Sequence, residues 1–197
     1  MYNLLKRLFD ITMSTIALFF LSPILLIISI LIKLDSKGPI VFTQRRIGRY
    51  DQEFCMFKFR TMYVGTPEIA TDKLQHSERY ITPTGYYLRK YSLDELPQLL
   101  NILKGHMSIV GPRPALYNQY DLRQMRNDAG IAMIPPGLTG WAQINGRDEI
   151  ELAQKVKLDA YYLQYRSFFF DLSIIRRTIF SVSSGDGVSA PNQSRKT

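Results

Sequence analysis

The 197-residue chain carries 25 lysines and arginines against 17 aspartates and glutamates, a formal net charge of +8. That length supports one domain with a real core and a short appended element, and the basic balance fits a polyanionic partner: nucleic acid, anionic lipid headgroups or a phosphorylated substrate. A single cysteine, Cys55, excludes an internal disulfide and points to a reducing compartment, and with only His76 and His106 beside it a zinc cluster lacks its ligand set.

The first predicted element is apolar. Residues 11–32, ITMSTIALFFLSPILLIISILI, hold no charge, enough at about 1.5 Å per residue to reach across a hydrocarbon core. The run is too long for the apolar part of a cleaved signal and lacks a small-x-small cleavage site. Pro23 brings no amide donor and crowds the carbonyl of Phe19, so the helix is expected to break at Ser22-Pro23, with the Ser22 hydroxyl available to the freed carbonyl. Lys6 and Arg7 precede the run, and Lys33, Lys37, Arg45 and Arg46 follow it, which holds both ends on the cytoplasmic side. A re-entrant helix-break-helix over residues 1–36 satisfies both observations. A proline-kinked spanning helix is the alternative.

Residues 37–189 then read as a cytoplasmic domain, and 190–197 as a flexible tail. Short β-prone runs at 40–43 and 54–59 predict a small hairpin. Residues 64–84 are polar and predict a surface excursion with one helical turn. Leu93, Leu96, Leu100 and Leu103 recur three, four and three residues apart, which predicts one helix over 85–104. After the rigid VGPRP comes a polar helix over 115–129, then the turn-rich IPPGLTGWAQINGR. Residues 148–182 read as helical with a break near Ser167. That stretch mixes aromatics with Arg166, Arg176 and Arg177, which suits either a helix in a membrane interface or a core-packing helix with a solvated basic face.

The candidate chemistry centres on YSLDELPQLLN, residues 91–101. Ser92 and Glu95 have the spacing of a capping box, and acids are favoured in a first turn, so Asp94 and Glu95 have a structural reason to be there. A helix start is also where phosphate is held. There an ionised carboxylate can attack phosphorus while its neighbour helps hold a divalent cation against a diphosphate. Several cations stand ready. Lys58 and Arg60 lie two apart, so on a strand they share a face, the alternative being a basic guard on a sheet edge. Arg89 lies five residues before Asp94. Arg113 is fixed between Pro112 and Pro114, and Arg147 follows an Asn-Gly turn. Asp159 is placed to organise one of these arginines or to sit exposed on a helix. No Walker loop, Rossmann glycine triplet or Gly-x-Ser-x-Gly elbow is present.

Taken together, KRLFD, the apolar run with Ser22-Pro23, GPIVFTQRRIG, FKFRTM, LRKYSLDELPQLLNILKGHMSIVGPRP, PGLTGWAQINGR and LDAYYLQYRSFFFDL resemble the bacterial sugar transferase family, in particular the small monotopic phosphoglycosyl transferases. The resemblance runs from about residue 3 to 189. It implies an α-rich α/β fold with a re-entrant N-terminal helix, a small β element and amphipathic interfacial helices, on the cytoplasmic face of the bacterial inner membrane. It implies transfer of a sugar 1-phosphate from a UDP-sugar to undecaprenyl phosphate, with release of UMP and with Mg2+. By this resemblance Asp94 is the nucleophile that forms a covalent phosphosugar intermediate, Glu95 assists in metal binding, and Lys58, Arg89 and Arg113 handle phosphates. Larger relatives add N-terminal spanning helices and a further domain. His106 stands where many members have an acid. The ending GDGVSAP is like that of members using N-acetylated deoxyamino sugars. A homodimer is compatible with an exposed amphipathic surface. Two other classes compete: a basic membrane-associated nucleic-acid binder, although no RNA or DNA motif is present, and a non-catalytic membrane scaffold.

Overall fold

The computed structural model describes residues 2–67, 77–146 and 150–183. Arg147 and the GDGVSAP ending therefore lie outside the described residues. The fold is helix-rich with two small two-stranded sheets. In chain order the elements are α1 (Tyr2–Asp35), β1 (Val41–Ile47), β2 (Glu53–Phe59), α2 (Pro83–Lys90), α3 (Gln98–Leu103), β3 (Ser108–Val110), α4 (Tyr120–Asp128), β4 (Gly137–Thr139), α5 (Trp141–Ile144), α6 (Leu152–Tyr165) and α7 (Phe168–Ser183).

The 34-residue α1 contains Pro23 in its interior. The Ser22 hydroxyl donates to the Phe19 carbonyl at 2.8 Å, the acceptor that proline deprives of its amide. The expected break is corrected here: with that bond in place, the helix continues through Ser22 and Pro23 without interruption. Asp10, Ser14, Ile28 and Ile32 are buried, and Ala17, Leu18 and Leu25 pack on core residues of the domain. This spacing of three and four makes one stripe along the helix. Away from the stripe the helix stays apolar and uncovered, with Phe19 and Phe20 each 72% exposed and Leu34 79%. Among the described residues this is the one helix long and apolar enough to cross a membrane.

The predicted hairpin forms. β1 pairs antiparallel with β2 in the register Val41↔Phe59 to Ile47↔Glu53. Its turn is strained, because Tyr50 and Asp51 both take left-handed backbone, at φ 59 and 57. The strain is held from outside: Arg123 grips both Asp51 oxygens at 3.0 and 2.8 Å, and Arg49 donates to the Met133 carbonyl at 2.8 Å.

The single helix expected over 85–104 is instead two, α2 and α3, joined by a tight 3-10 turn at Leu93–Glu95. Two residues explain the correction. Pro97 has no amide to return to the Leu93 carbonyl, and Ser92 takes left-handed backbone at φ 53, which stops α2. No side chain caps the turn, so the expected capping box is absent. A serine in this conformation costs about 1–2 kcal/mol relative to its favoured regions. Ser92→Gly is therefore expected to unfold no earlier than the parent, whereas β-branched Ser92→Val loses about 1–2 kcal/mol. Thermal unfolding in detergent gives the order directly.

The polar helix begins at Tyr120 rather than 115, because Leu116 forms an isolated bridge with Arg46 and Ala115 accepts from the Ile47 amide at 2.9 Å. β3 and β4 pair in parallel, Ser108↔Gly137 and Val110↔Thr139. Beyond β3 the backbones stay in contact, with the Gly111 amide on the Thr139 carbonyl and the Gly137 amide on the Pro112 carbonyl, each at 2.9 Å. A Cβ on Gly137 would collide with Gly111, so the GPRP and PGLTG segments approach as closely as only glycine permits. The helical stretch near the C-terminus breaks between Tyr165 and Phe168, close to the predicted Ser167. On α7 Ile174 is fully buried, in keeping with the core-packing alternative, while Phe169 and Phe180 are 82% and 67% exposed.

Candidate active site

The site is assembled where β2 meets the turn before α3. Asn101, fully buried on α3, accepts from the Phe57 amide at 2.9 Å and donates to the Cys55 carbonyl at 2.7 Å. Its amide thus serves β2 as a strand would, and it ties α3 to the residue next to Lys58. The 3-10 turn enters α3 directly. Lys58 and the acidic pair are therefore held by one buried side chain.

Around that anchor, Lys58 Nζ lies 2.7 Å from Glu95 Oε1 and 3.8 Å from Asp94 Oδ2. Arg113 donates from Nη1 and Nη2 to the same Glu95 oxygen, both at 3.3 Å. The two acids are thus unequal. Burial works against the Glu95 charge, but Lys58 and Arg113 overcome it and hold that carboxyl well below the usual range. For Asp94 burial prevails: it pushes the carboxyl up, the Glu95 charge adds to this, and Lys58, Arg89 and Arg113 pull the other way. Glu95 anchors both cations through its Oε1, and Asp94 keeps the looser ion contact.

Arg89 sits on the far side. Its Nε donates to Thr61 Oγ1 at 3.0 Å and its Nη2 to Met62 Sδ at 3.6 Å. Burial draws its pKa down while the Asp94 carboxylate opposes that shift. Lys58, Arg89 and Arg113 against Asp94 and Glu95 leave an excess of positive charge, as a diphosphate requires.

Two further expected site residues bond elsewhere. Arg60 is a correction, because β2 ends at Phe59 and the alternation does not carry Arg60 to the Lys58 face. Its guanidinium is buried and donates to the carbonyls of Ile32, Ser36 and Lys37. That assignment closes the end of α1, where unpaired helix carbonyls favour a cation. Asp159 is 1% exposed rather than a solvated helix acid. Its Oδ2 receives Arg126 Nε at 3.1 Å and Nη2 at 2.6 Å, and Arg126 Nη1 donates to the Arg113 carbonyl at 2.8 Å. Asp159 therefore organises Arg113 through a residue the sequence reading missed. Arg147 lies outside the described residues.

Asn101 and Arg126 carried only weak signals, a lone amide within LLNIL and one arginine on a polar helix. His106 faces the Phe54 ring, with centroids 5.7 Å apart. Among the described residues no group of three or more His, Cys, Asp or Glu side chains converges. The donor set that remains, two adjacent carboxylates, suits Mg2+, which takes one or two carboxylates together with substrate phosphates.

Comparisons with known proteins identify the family. Residues 1–185 match the family described as bacterial sugar transferase. The chain is 42% identical over 190 residues to an uncharacterised sugar transferase, EpsL, of Bacillus subtilis (strain 168), covering 96% of this chain and 92% of the relative. It is 41% identical over 186 residues to the UDP-glucose:undecaprenyl-phosphate glucose-1-phosphate transferase of Escherichia coli (strain K12), covering 90% of this chain and 40% of that protein. It is 40% identical over 191 residues to the undecaprenyl-phosphate glucose phosphotransferase of Komagataeibacter xylinus, covering 89% and 36%. The chain thus spans nearly all of the first relative and well under half of the other two. It belongs to the bacterial sugar transferases, a family of phosphoglycosyl transferases.

Proposed function

We propose that this enzyme transfers a sugar 1-phosphate from a UDP-sugar to undecaprenyl phosphate, giving undecaprenyl diphosphate-sugar and UMP, through two displacements at Asp94. The observation that carries the reading is the division of labour in the acidic pair: Glu95 is fixed by Lys58 and Arg113, and among the described residues Asp94 stands beside them without a short partner. An Asp94 oxygen attacks the phosphorus bearing the sugar, and the bond to the bridging oxygen breaks, with its electron pair leaving on UMP. The acyl phosphate so formed is attacked in turn by a phosphate oxygen of undecaprenyl phosphate, which restores the Asp94 carboxylate. Splitting the transfer in this way gives ping-pong order.

Lys58, Arg89 and Arg113 orient the diphosphate and offset the charge that builds on its oxygens. Asp94 and Glu95 would hold Mg2+, which supplies further charge neutralisation at the diphosphate. The uncovered apolar face of α1 and the exposed Phe169 and Phe180 of α7 favour a monotopic setting in the inner leaflet, where the acceptor's phosphate resides. Basic residues on both flanks of α1 favour keeping both of its ends on the cytoplasmic side.

The test is UMP release by the purified chain in nanodiscs with Mg2+, a panel of UDP-glucose and UDP-N-acetylamino sugars, and undecaprenyl phosphate present or omitted. One donor is expected to give sustained release that requires the acceptor. Steady release without acceptor, or none with any donor, overturns the reading.

A further inference from the structure

A second basic cavity lies apart from the carboxylates. It encloses about 310 Å³, and its wall includes Lys6, Arg7, Arg49 and Arg166, with Asp10 as its acid and the exposed Met133 beside Arg49. None of Lys58, Arg89, Asp94, Glu95 or Arg113 lines it. Its cations are fixed in place by groups that leave most of their charge intact. Among the described residues only Lys6 of these cations has a carboxylate, Asp171, at 2.8 Å. Arg7 donates to the Ile102 and Leu103 carbonyls at 2.6 and 2.8 Å, and Arg49 to the Met133 carbonyl at 2.8 Å. The Arg166 guanidinium stands 5.7 Å from the Tyr2 ring. Carbonyls and rings orient a guanidinium without neutralising it. Asp10 is buried and accepts from the Ile109 amide at 3.1 Å.

Three guanidinium groups held around one space match the geometry of phosphate oxygens better than that of any neutral ligand. The cavity also borders apolar surface: Leu4, Leu5 and Leu8 are exposed on the same turns of α1 that supply Lys6 and Arg7. We propose that this cavity binds a phosphate-bearing anion, supplied by an anionic lipid headgroup or as free phosphate, at a site separate from the catalytic carboxylates.

The full chain in phosphatidylcholine nanodiscs tests this by hydrogen exchange of peptides covering residues 2–10 and 131–136. Either phosphatidylglycerol is raised in the disc or inorganic phosphate is raised in the buffer at constant ionic strength. Slowed exchange with phosphatidylglycerol alone identifies the headgroup as the source, and slowing by inorganic phosphate as well shows that the free anion suffices. In Arg49→Gln/Arg166→Gln the midpoint is expected to rise about tenfold or more, with UDP-sugar turnover unchanged, and Arg49→Lys/Arg166→Lys recovers part of the loss. Exchange that responds to neither anion, or an unchanged midpoint in the glutamine variant, overturns the site.

Discussion

Asp94→Asn is expected to lower sugar-phosphate transfer on the order of 10³-fold or more while leaving the fold intact. The amide keeps the shape of the side chain, and the 2.7 Å contact between Lys58 and Glu95 does not involve it. What disappears is an anionic oxygen able to form a bond to phosphorus. The check is a quenched incubation with donor labelled in the sugar and no acceptor. The label should travel with the parent protein through denaturation and be absent from Asp94→Asn. Glu95→Gln separates the roles further: it removes the charge that Lys58 and Arg113 grip, so activity falls, yet labelled protein still accumulates. Labelled Asp94→Asn, or full turnover by it, would return Asp94 to a structural part.

The second large effect is on stability. Arg126→Met and Asp159→Leu, made singly, should each cost about 3–5 kcal/mol, because each strands a buried charge. Asp159 is 1% exposed and its oxygen lies 2.6 Å from Arg126. The double variant should regain most of that loss, since an apolar pair of similar volume leaves neither charge behind. Activity should not follow stability. The bond from Arg126 to the Arg113 carbonyl is gone in the double variant, so Arg113 loses its rear support and turnover falls about 10–100-fold. Urea unfolding together with UMP release distinguishes the outcomes. A double variant both stable and fully active would make the pair purely architectural.

These residues also show what the sequence could and could not disclose. The apolar run, the hairpin and the break near Ser167 were readable because each rests on local chemistry: charge, alternation and turn-forming residues. Lys58, Asp94, Glu95 and Arg113 were found by motif, and the fold brings the four together. The failures arose where a left-handed backbone or a distant partner decided the matter. Leucine spacing predicted an uninterrupted helix, but the left-handed Ser92 and Pro97 divide it. Arg60 was grouped with Lys58 by alternation, whereas one residue past the strand it turned to the end of α1. Asn101 and Arg126 acquire meaning only from Cys55, Phe57, Asp159 and Arg113, from 13 to 46 positions away in sequence. The parallel pairing of β3 and β4 involves strands of three residues, too short for any periodic signal.

The Arg60 clasp on α1 also sets a height. Lys58 and Arg60 are separated by one residue, so their Cα atoms are at most about 7 Å apart. One of them grips the end of the apolar helix and the other the acidic pair. On the membrane reading, a gauge of covalent backbone, rather than a pliable loop, fixes how far above the hydrocarbon the reacting oxygen stands. A lipid-borne phosphate that cannot leave its headgroup layer needs a catalyst whose reach is cut to that depth.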